Sequence, residues 1–210
     1  MNNVVLIGLC GRSGSGKGYV CRKFHSHGFA SIDTDAVYAK MTAPAESLSP
    51  CMRELRDAFG DQAVLPDNAL NRSYISSLVF SENGAEHLQT LNRITHKHIL
   101  TRTLEEVERF ASEGYRYILL DAPLLFESGL DKKCAFTVCV CASDGTAVER
   151  IMRRDGICEE DAYRRLAAQI PAEKLISKCD YCIVNERCSD TLEEQVADVV
   201  HSIRSRTEIQ

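Results

Sequence analysis

The residues Gly11-Arg12-Ser13-Gly14-Ser15-Gly16-Lys17-Gly18 follow directly on the apolar run Val4-Val5-Leu6-Ile7. A strand that ends in a glycine-rich turn and leads into a helix is a device for holding phosphate. The glycines let the backbone curl so that several N–H groups converge, the helix N-terminus adds partial positive charge, and Lys17 adds a full one. The spacing fits the phosphate-binding loop G-x-x-x-x-G-K-[ST] at every place but the last, where Gly18 replaces the hydroxyl residue that usually sits on magnesium. A plain surface turn rich in glycine accounts for neither the lysine in register nor the apolar strand before it.

Phosphoryl transfer needs three more things beyond this cradle: a metal site, a proton acceptor, and cations on the transferring group. Asp33 and Asp35 stand two apart after an apolar segment. At extended spacing both would point one way, one taking a proton from an acceptor hydroxyl and the other holding magnesium through water; acidic capping of a helix is the structural alternative. Asp121 closes a second apolar run, as the acid of an NTPase magnesium site does. Arg150, Arg153, Arg154, Arg164 and Arg165 crowd a helical segment before Gln169. Arg154 is expected to act on the triphosphate from a mobile segment, and the other arginines to be partly structural. His96, in Thr95-His96-Lys97-His98, reads on spacing alone as a packed or solvated helical residue.

These residues must be positioned by alternating strands and helices. Strands are expected at about Val4–Leu9, Phe29–Ile32, Tyr115–Asp121, Phe136–Cys141 and Tyr181–Val184. Helices are expected over Lys17–His27 with Gly28 at its end, from Asp33 onward, from Ser49-Pro50 to Phe59-Gly60, over Asn71–Phe80, Ala85–Ser112, Asp144–Arg154, Glu159–Ala168, a short one opened by Pro171, and Leu192–Ile203. Strands that are almost continuously apolar and alternate with helices predict an α/β fold: a parallel five-stranded sheet covered by helices on both faces. Ligands in such sheets bind at the carboxyl ends of the strands, where the glycine loop, Asp33 and Asp35, Asp121 and Asn185 all fall.

The chain has 210 residues, 44% of them hydrophobic, enough for one such domain. Its net charge of −5 and the lack of a dense basic patch argue against a nucleic-acid partner. No basic leader or apolar run of membrane-spanning length is read, so no membrane partner and a cytoplasmic setting are expected. In that setting the ten cysteines are expected to be mostly buried free thiols. Cys139 and Cys141 share a strand face with only Cys134 as a nearby third, and Cys179-Asp180-Tyr181-Cys182 is a single C-x-x-C that runs into a strand; neither reads as a zinc or redox motif.

Gly8-Leu9-Cys10-Gly11 through Lys17, Ile32-Asp33-Thr34-Asp35 and the segment Asp121-Ala122-Pro123-Leu124-Leu125-Phe126-Glu127-Ser128-Gly129-Leu130 together resemble the dephospho-coenzyme A kinase family. Arg150-Ile151-Met152-Arg153-Arg154-Asp155, Arg165-Leu166-Ala167-Ala168-Gln169 and Asp180-Tyr181-Cys182-Ile183-Val184-Asn185 extend the resemblance over nearly the whole chain. It implies a P-loop NTPase-type core (about 1–45, 113–142 and 179–210), a helical acceptor-binding insertion (about 46–112) and a lid (about 143–178). It implies ATP-dependent phosphorylation of the ribose 3′-hydroxyl of dephospho-CoA, with Mg2+. Asp35 would be the general base, with Lys17 and Arg154 as catalytic cations. Gly11, Gly14, Ser15, Gly16, Lys17, Gly18 and Tyr19 would contact the nucleotide along with Arg154. Asp33, Asp35, Arg72, His96 and Asp121 would face the acceptor, and Asp33 and Asp121 the metal.

Three positions depart from the family pattern: Gly18 stands in place of Ser or Thr, Lys97 in place of Pro, and Asn71 in place of a frequent Asp. Adenylate kinases carry the same G-K-G, so the loop works without the hydroxyl, but Gly18 cannot ligate magnesium. Another small-molecule kinase and a nucleotide-binding regulator without catalysis are the competing readings. The Asp121–Leu130 segment speaks against the first, and the retained Lys17, Asp35, Asp121 and Arg154 against the second.

Overall fold

The computed structural model describes residues 4–186 and 189–208; Cys188 lies outside them. In chain order the elements are β1 (Val5–Cys10), α1 (Lys17–Ser26), β2 (Ala30–Asp33), α2 (Thr34–Met41), α3 (Pro50–Phe59), α4 (Arg72–Val79), α5 (Gly84–Ser112), β3 (Tyr117–Asp121), β4 (Phe136–Cys141), α6 (Asp144–Asp155), α7 (Glu159–Ala167), α8 (Ala172–Ile176), β5 (Tyr181–Val184) and α9 (Ser189–Glu208). Short 3-10 turns cover Asp61–Ala63 and Leu130–Lys133. The five strands form an all-parallel sheet in the order β2-β3-β1-β4-β5. β1 lies at its centre, with Leu9 registered against Asp121 on one side and Val138 on the other.

The chain divides into two compact units. The first comprises residues 1–32 and 108–210; the second runs from Asp33 to Val107. In the first, Ile7, Leu9, Leu119, Val138, Val140 and Ile183 of the sheet pack against Val20 and Phe24 of α1 and Val196, Val200 and Ile203 of α9. The sheet residues are apolar at nearly every position because helices cover both of its faces. Full burial of each such side chain contributes roughly 1.5–3 kcal/mol. In the second unit, Met52, Leu55 and Phe59 of α3 meet Ile75 of α4 and Ile94 of α5 around a separate small core. Ser49 caps α3, its Oγ accepting from Met52 N at 3.2 Å, and Asn71 caps α4, its Oδ1 accepting from Tyr74 N at 3.2 Å.

Three expectations are corrected. β3 begins at Tyr117, not Tyr115. The Tyr115 amide donates to Phe110 O at 3.0 Å and its ring meets Phe110 edge-on at 5.5 Å, so Tyr115 closes α5 instead of opening the strand. The last helix outruns Leu192–Ile203 at both ends. Its final turn is held from the start of β3, where Arg116 donates to Thr207 O at 2.9 Å and the Tyr117 hydroxyl meets Thr207 Oγ1 at 3.1 Å. Asp33 and Asp35 do not share an extended face: β2 stops at Asp33 and Asp35 already lies in the first turn of α2.

The nine described cysteines are free thiols. Burial pushes Cys134 up to about 12 and Cys51 up to about 11, so both pack as protonated, apolar side chains. Cys139 and Cys141 meet cysteines distant in sequence: Cys10 and Cys179 lie by the first, and Cys182 Sγ lies 3.2 Å from the second. Cys179 is drawn down to about 4 by its side-chain contacts with Cys10 and then Cys139, while Cys139 is pushed up by its contacts with Cys10 and then Cys179.

Candidate active site

The loop between β1 and α1 is shaped by its glycines. Gly14 and Gly16 adopt left-handed conformations, with φ of 77° and 81°, and Gly16 is the N-cap of α1. A Cβ on Gly14 would strike the Ala147 carbonyl, and one on Gly16 would strike Asn185 Nδ2. These contacts mark what holds the loop from behind. Arg150 of α6 donates to Gly14 O at 3.2 Å, Ser15 O at 3.4 Å, Asn185 O at 2.9 Å and Glu186 O at 2.9 Å. Asn185, buried after β5, donates from Nδ2 to Ser15 O at 2.8 Å. The Ser15 amide closes a turn onto Arg12 O at 3.1 Å; with Ser15 O drawn toward Arg150 and Asn185, the Gly16 amide of the same peptide faces the other way, as an anion-binding concavity requires. Ser15 is itself buried, and its Oγ has no hydrogen-bond partner among the described residues.

Lys17 opens α1 and forms an ion pair with Asp121, the last residue of β3; both side chains are largely buried. Gly11 lies close under β4, its missing Cβ pointing at the Val140 carbonyl. Gly18 differs from the other loop glycines. It is helical and exposed, and a Cβ there would meet nothing within 4 Å. Tyr19 is exposed on α1, with the Arg22 and Lys23 cations each 5.5 Å from its ring centre.

The segment that follows β4 grips the loop from its other end. Arg12 donates to Asp144 at 2.7 Å and to Leu166 O at 3.0 Å, and the Ser13 amide donates to Gln169 Oε1 at 2.9 Å. Arg154 reaches Ser13 Oγ at 3.2 Å and is clamped by Asp155, with Nε and Nη2 donating at 2.7 and 2.9 Å; Arg165 pairs with the same carboxylate. Asp155 is consequently held below the ordinary carboxylate range, chiefly by the Arg154 hydrogen bonds. Arg150 and Arg154 are one helical turn apart and serve the same loop, Arg150 through its carbonyls and Arg154 through Ser13. Four-residue spacing was the signal that could have singled out Arg150 beside Arg154. The backbone-fixing role of Asn185 had no such signal beyond its place at a strand end.

In the second unit, Asp33 is the N-cap of α2: its Oδ1 accepts from Asp35 N at 2.9 Å and Ala36 N at 3.1 Å. The cap sets Asp35 on the first helical turn, exposed. Arg72, at the start of α4, donates to Thr42 Oγ1 at 3.1 Å and lies over the Tyr38 ring at 5.4 Å. Desolvation pushes the Tyr38 hydroxyl above its ordinary range. His96 is half-buried on α5. The two departures in this unit have structural accounts. Asn71 caps α4 as an aspartate would, and its amide also donates to Gln62 O at 2.9 Å. Lys97 pairs with Glu54 at 2.7 Å, tying α5 to α3.

A family model described as dephospho-CoA kinase matches residues 5–190. A dephospho-CoA kinase of Corynebacterium glutamicum is 31% identical over 200 residues, covering 95% of this chain and 98% of that protein. Among solved structures, TT1252 from Thermus thermophilus superposes with a TM-score of 0.78 at 29% identity, covering 95% of this chain and 97% of that one. A dephospho-CoA kinase from Campylobacter jejuni shares the fold, with a TM-score of 0.65 at 24% identity over 97% and 98% of the two chains.

Proposed function

Since the chain belongs to the dephospho-CoA kinase family, we propose that it transfers the γ-phosphoryl group of ATP to the ribose 3′-hydroxyl of dephospho-CoA, giving coenzyme A and ADP. The observation that carries the reading is the loop after β1, whose carbonyls are tied back by Arg150 and Asn185 while Lys17 stands at its mouth against Asp121. Backbone amides and a lysine in that arrangement suit the β- and γ-phosphates of a nucleoside triphosphate.

The steps follow from the residues. Lys17 leaves Asp121 for the phosphate oxygens and stabilises the negative charge that spreads over them in the transition state. Arg154, already at Ser13 on the loop, adds a second cation from the segment 143–178, which serves as the lid. Asp35 accepts the proton of the acceptor hydroxyl. Asp33 caps the helix that carries Asp35, so it also sets the direction from which that base approaches. Arg72 and His96, in the helical unit, hold the anionic and ribosyl parts of the acceptor. Asp121 and Asp33 are the carboxylates suited to a magnesium ion, which when bound neutralises charge on the β- and γ-phosphates. The hard oxygen donors fit such an ion, and the absence of a hydroxyl at Gly18 makes ligation through water the natural arrangement.

The test is ADP release from ATP and magnesium with dephospho-CoA, AMP, CMP, phosphopantetheine and adenosine offered singly as acceptors. Turnover with dephospho-CoA alone, with the product phosphorylated at the 3′-oxygen, is the expected result. Turnover only with a nucleoside monophosphate would move the chain to another kinase class. Tight ATP binding with no turnover on any acceptor would leave it a nucleotide-binding protein without catalysis.

A further inference from the structure

Three cysteines from three separate parts of the chain meet beneath the phosphate loop. Cys10 is the last residue of β1 and stands directly before Gly11. Cys139, on β4, is its registered neighbour. Cys179 lies in the bend that leads into β5. Their three Sγ atoms all lie within 4.8 Å of one another, and Cys10 Sγ is 3.5 Å from Cys179 Sγ. Cys10 and Cys139 are fully buried, while Cys179 is partly open. Among the described residues this is the one group of three or more Cys, His, Asp or Glu side chains whose ligand atoms converge so closely.

Isolated buried thiols pack against hydrocarbon, as Cys51 does in the second unit among Met52, Leu55 and Phe59. Three sulfurs that face one another form a donor set instead. With metal–sulfur bonds of about 2.3 Å, thiolates around a tetrahedral ion sit roughly 3.8 Å apart, and a trigonal arrangement is slightly wider. The observed spacing brackets that value. No carboxylate or imidazole belongs to the trio, so the chemistry is soft and unlike the carboxylate set expected to hold magnesium. Beside the loop, a small pocket lined by Arg12, Ser15, Cys139, Cys141 and Leu175 adjoins the trio at Cys139.

We propose that Cys10, Cys139 and Cys179 form a binding site for a thiophilic d10 cation, Zn2+ or Cu(I), that ties the ends of β1 and β4 to the start of β5 under the phosphate loop. Each thiol that ligates gives up its proton to solvent, so binding is accompanied by proton release. A zinc ion completes its shell with a fourth donor from solvent. Cu(I) accepts the three sulfurs alone.

The proposal is independent of the acceptor the enzyme uses, so the test reads metal and not turnover. The reduced, chelator-treated full-length chain is titrated with Co2+ in excess Mg2+. The expected result is one equivalent of thiolate-to-cobalt charge-transfer absorption in the near ultraviolet, displaced by one equivalent of Zn2+. Parallel competition of Zn2+ and of Cu(I) against chelators of known affinity decides which ion is preferred. Cys139→Ser and Cys179→Ser are expected to weaken binding at least tenfold, and Cys158→Ser, on the exposed start of α7, to leave it unchanged. A variant-free measurement guards against misfolding: Zn2+ should slow alkylation of Cys10, Cys139 and Cys179 in the wild-type chain, read peptide by peptide by mass spectrometry. The proposal is overturned if no charge-transfer band forms, if the band survives both substitutions, or if Cys10 and Cys179 are recovered as a disulfide in place of a metal site.

Discussion

In the first unit the groups proposed to hold phosphate are mostly main chain, shaped by Gly14 and Gly16 and fixed from behind by Arg150 and Asn185. In the second unit the groups proposed to meet the acceptor are side chains on helices: Asp35 on α2, Arg72 on α4 and His96 on α5. The loop's geometry is therefore set by many bonds that no single side chain controls, whereas each acceptor group depends on its own local support. For Arg72 that support is one hydrogen bond to Thr42 and the Tyr38 ring. A cradle for a ligand common to many enzymes can be rigid and generic. A site for one particular acceptor has to be assembled from individually placed side chains.

The sharpest way to break this contrast is Lys17→Ala. It removes the lysine proposed to stabilise the transferring phosphoryl group, and kcat should fall on the order of 10³-fold, in the range seen when a principal transition-state donor is lost. Steady-state ADP release checks it, and a near-normal rate would refute the phosphate-loop reading. Asp35→Asn comes next and acts in the second unit. Loss of a positioned base costs about 10²–10³-fold in kcat, while ATP affinity, measured by calorimetry, should stay within about twofold because the loop is untouched. Unchanged turnover would remove Asp35 from the role of base.

Arg150→Ala should behave differently from both. Its guanidinium is half-buried and satisfies four main-chain carbonyls. Ser15 O keeps its bond from Asn185, and leaving the others without Arg150 costs about 2–3 kcal/mol, a fall in Tm of roughly 5–10 °C for a chain of this size. KM for ATP should rise about tenfold as the loop loosens, with KM for the acceptor unmoved. A variant with normal Tm and normal KM for ATP would show that the loop holds its shape without Arg150.

The same contrast explains how much was legible beforehand. The loop could be read from its sequence because glycine spacing, an apolar strand and a lysine in register carry its geometry, and the parallel sheet could be read because doubly covered strands are apolar throughout. Asp121 was found by the same logic, as the acid that ends such a strand. What escaped was set by contacts between segments distant in sequence. Arg150 looked like any arginine in a basic helix run, since its carbonyl partners lie at Gly14, Ser15, Asn185 and Glu186. A helix from Asp33 onward, with acidic capping as the alternative, was legible; the expected common direction of the two aspartates was not met, because the helix begins between them and carries Asp35 out of the strand's alternation. The cysteines were sorted by their spacing along the chain, yet the trio that converges spans Cys10 to Cys179, brought together by strand order and not by a motif.

The smallest expected effect belongs to Gly18→Ser, and it separates two kinds of glycine within one loop. Gly14 and Gly16 need their missing side chains: both have positive φ, and an added Cβ on either would collide with a neighbouring element. Gly18 is helical, and an added Cβ would meet open space. A serine there also avoids the entropy cost of a glycine inside a helix, so stability should be equal or higher by up to about 0.5 kcal/mol, read as an unchanged or slightly raised Tm. ATP affinity should stay within about twofold and any gain in kcat should be small, because the proposed metal site draws on carboxylates and water and needs no hydroxyl at this position. A fall in ATP affinity of tenfold or more would mean that the open space beside Gly18 is filled when the triphosphate binds, which would make Gly18 part of the cradle and not merely its neighbour.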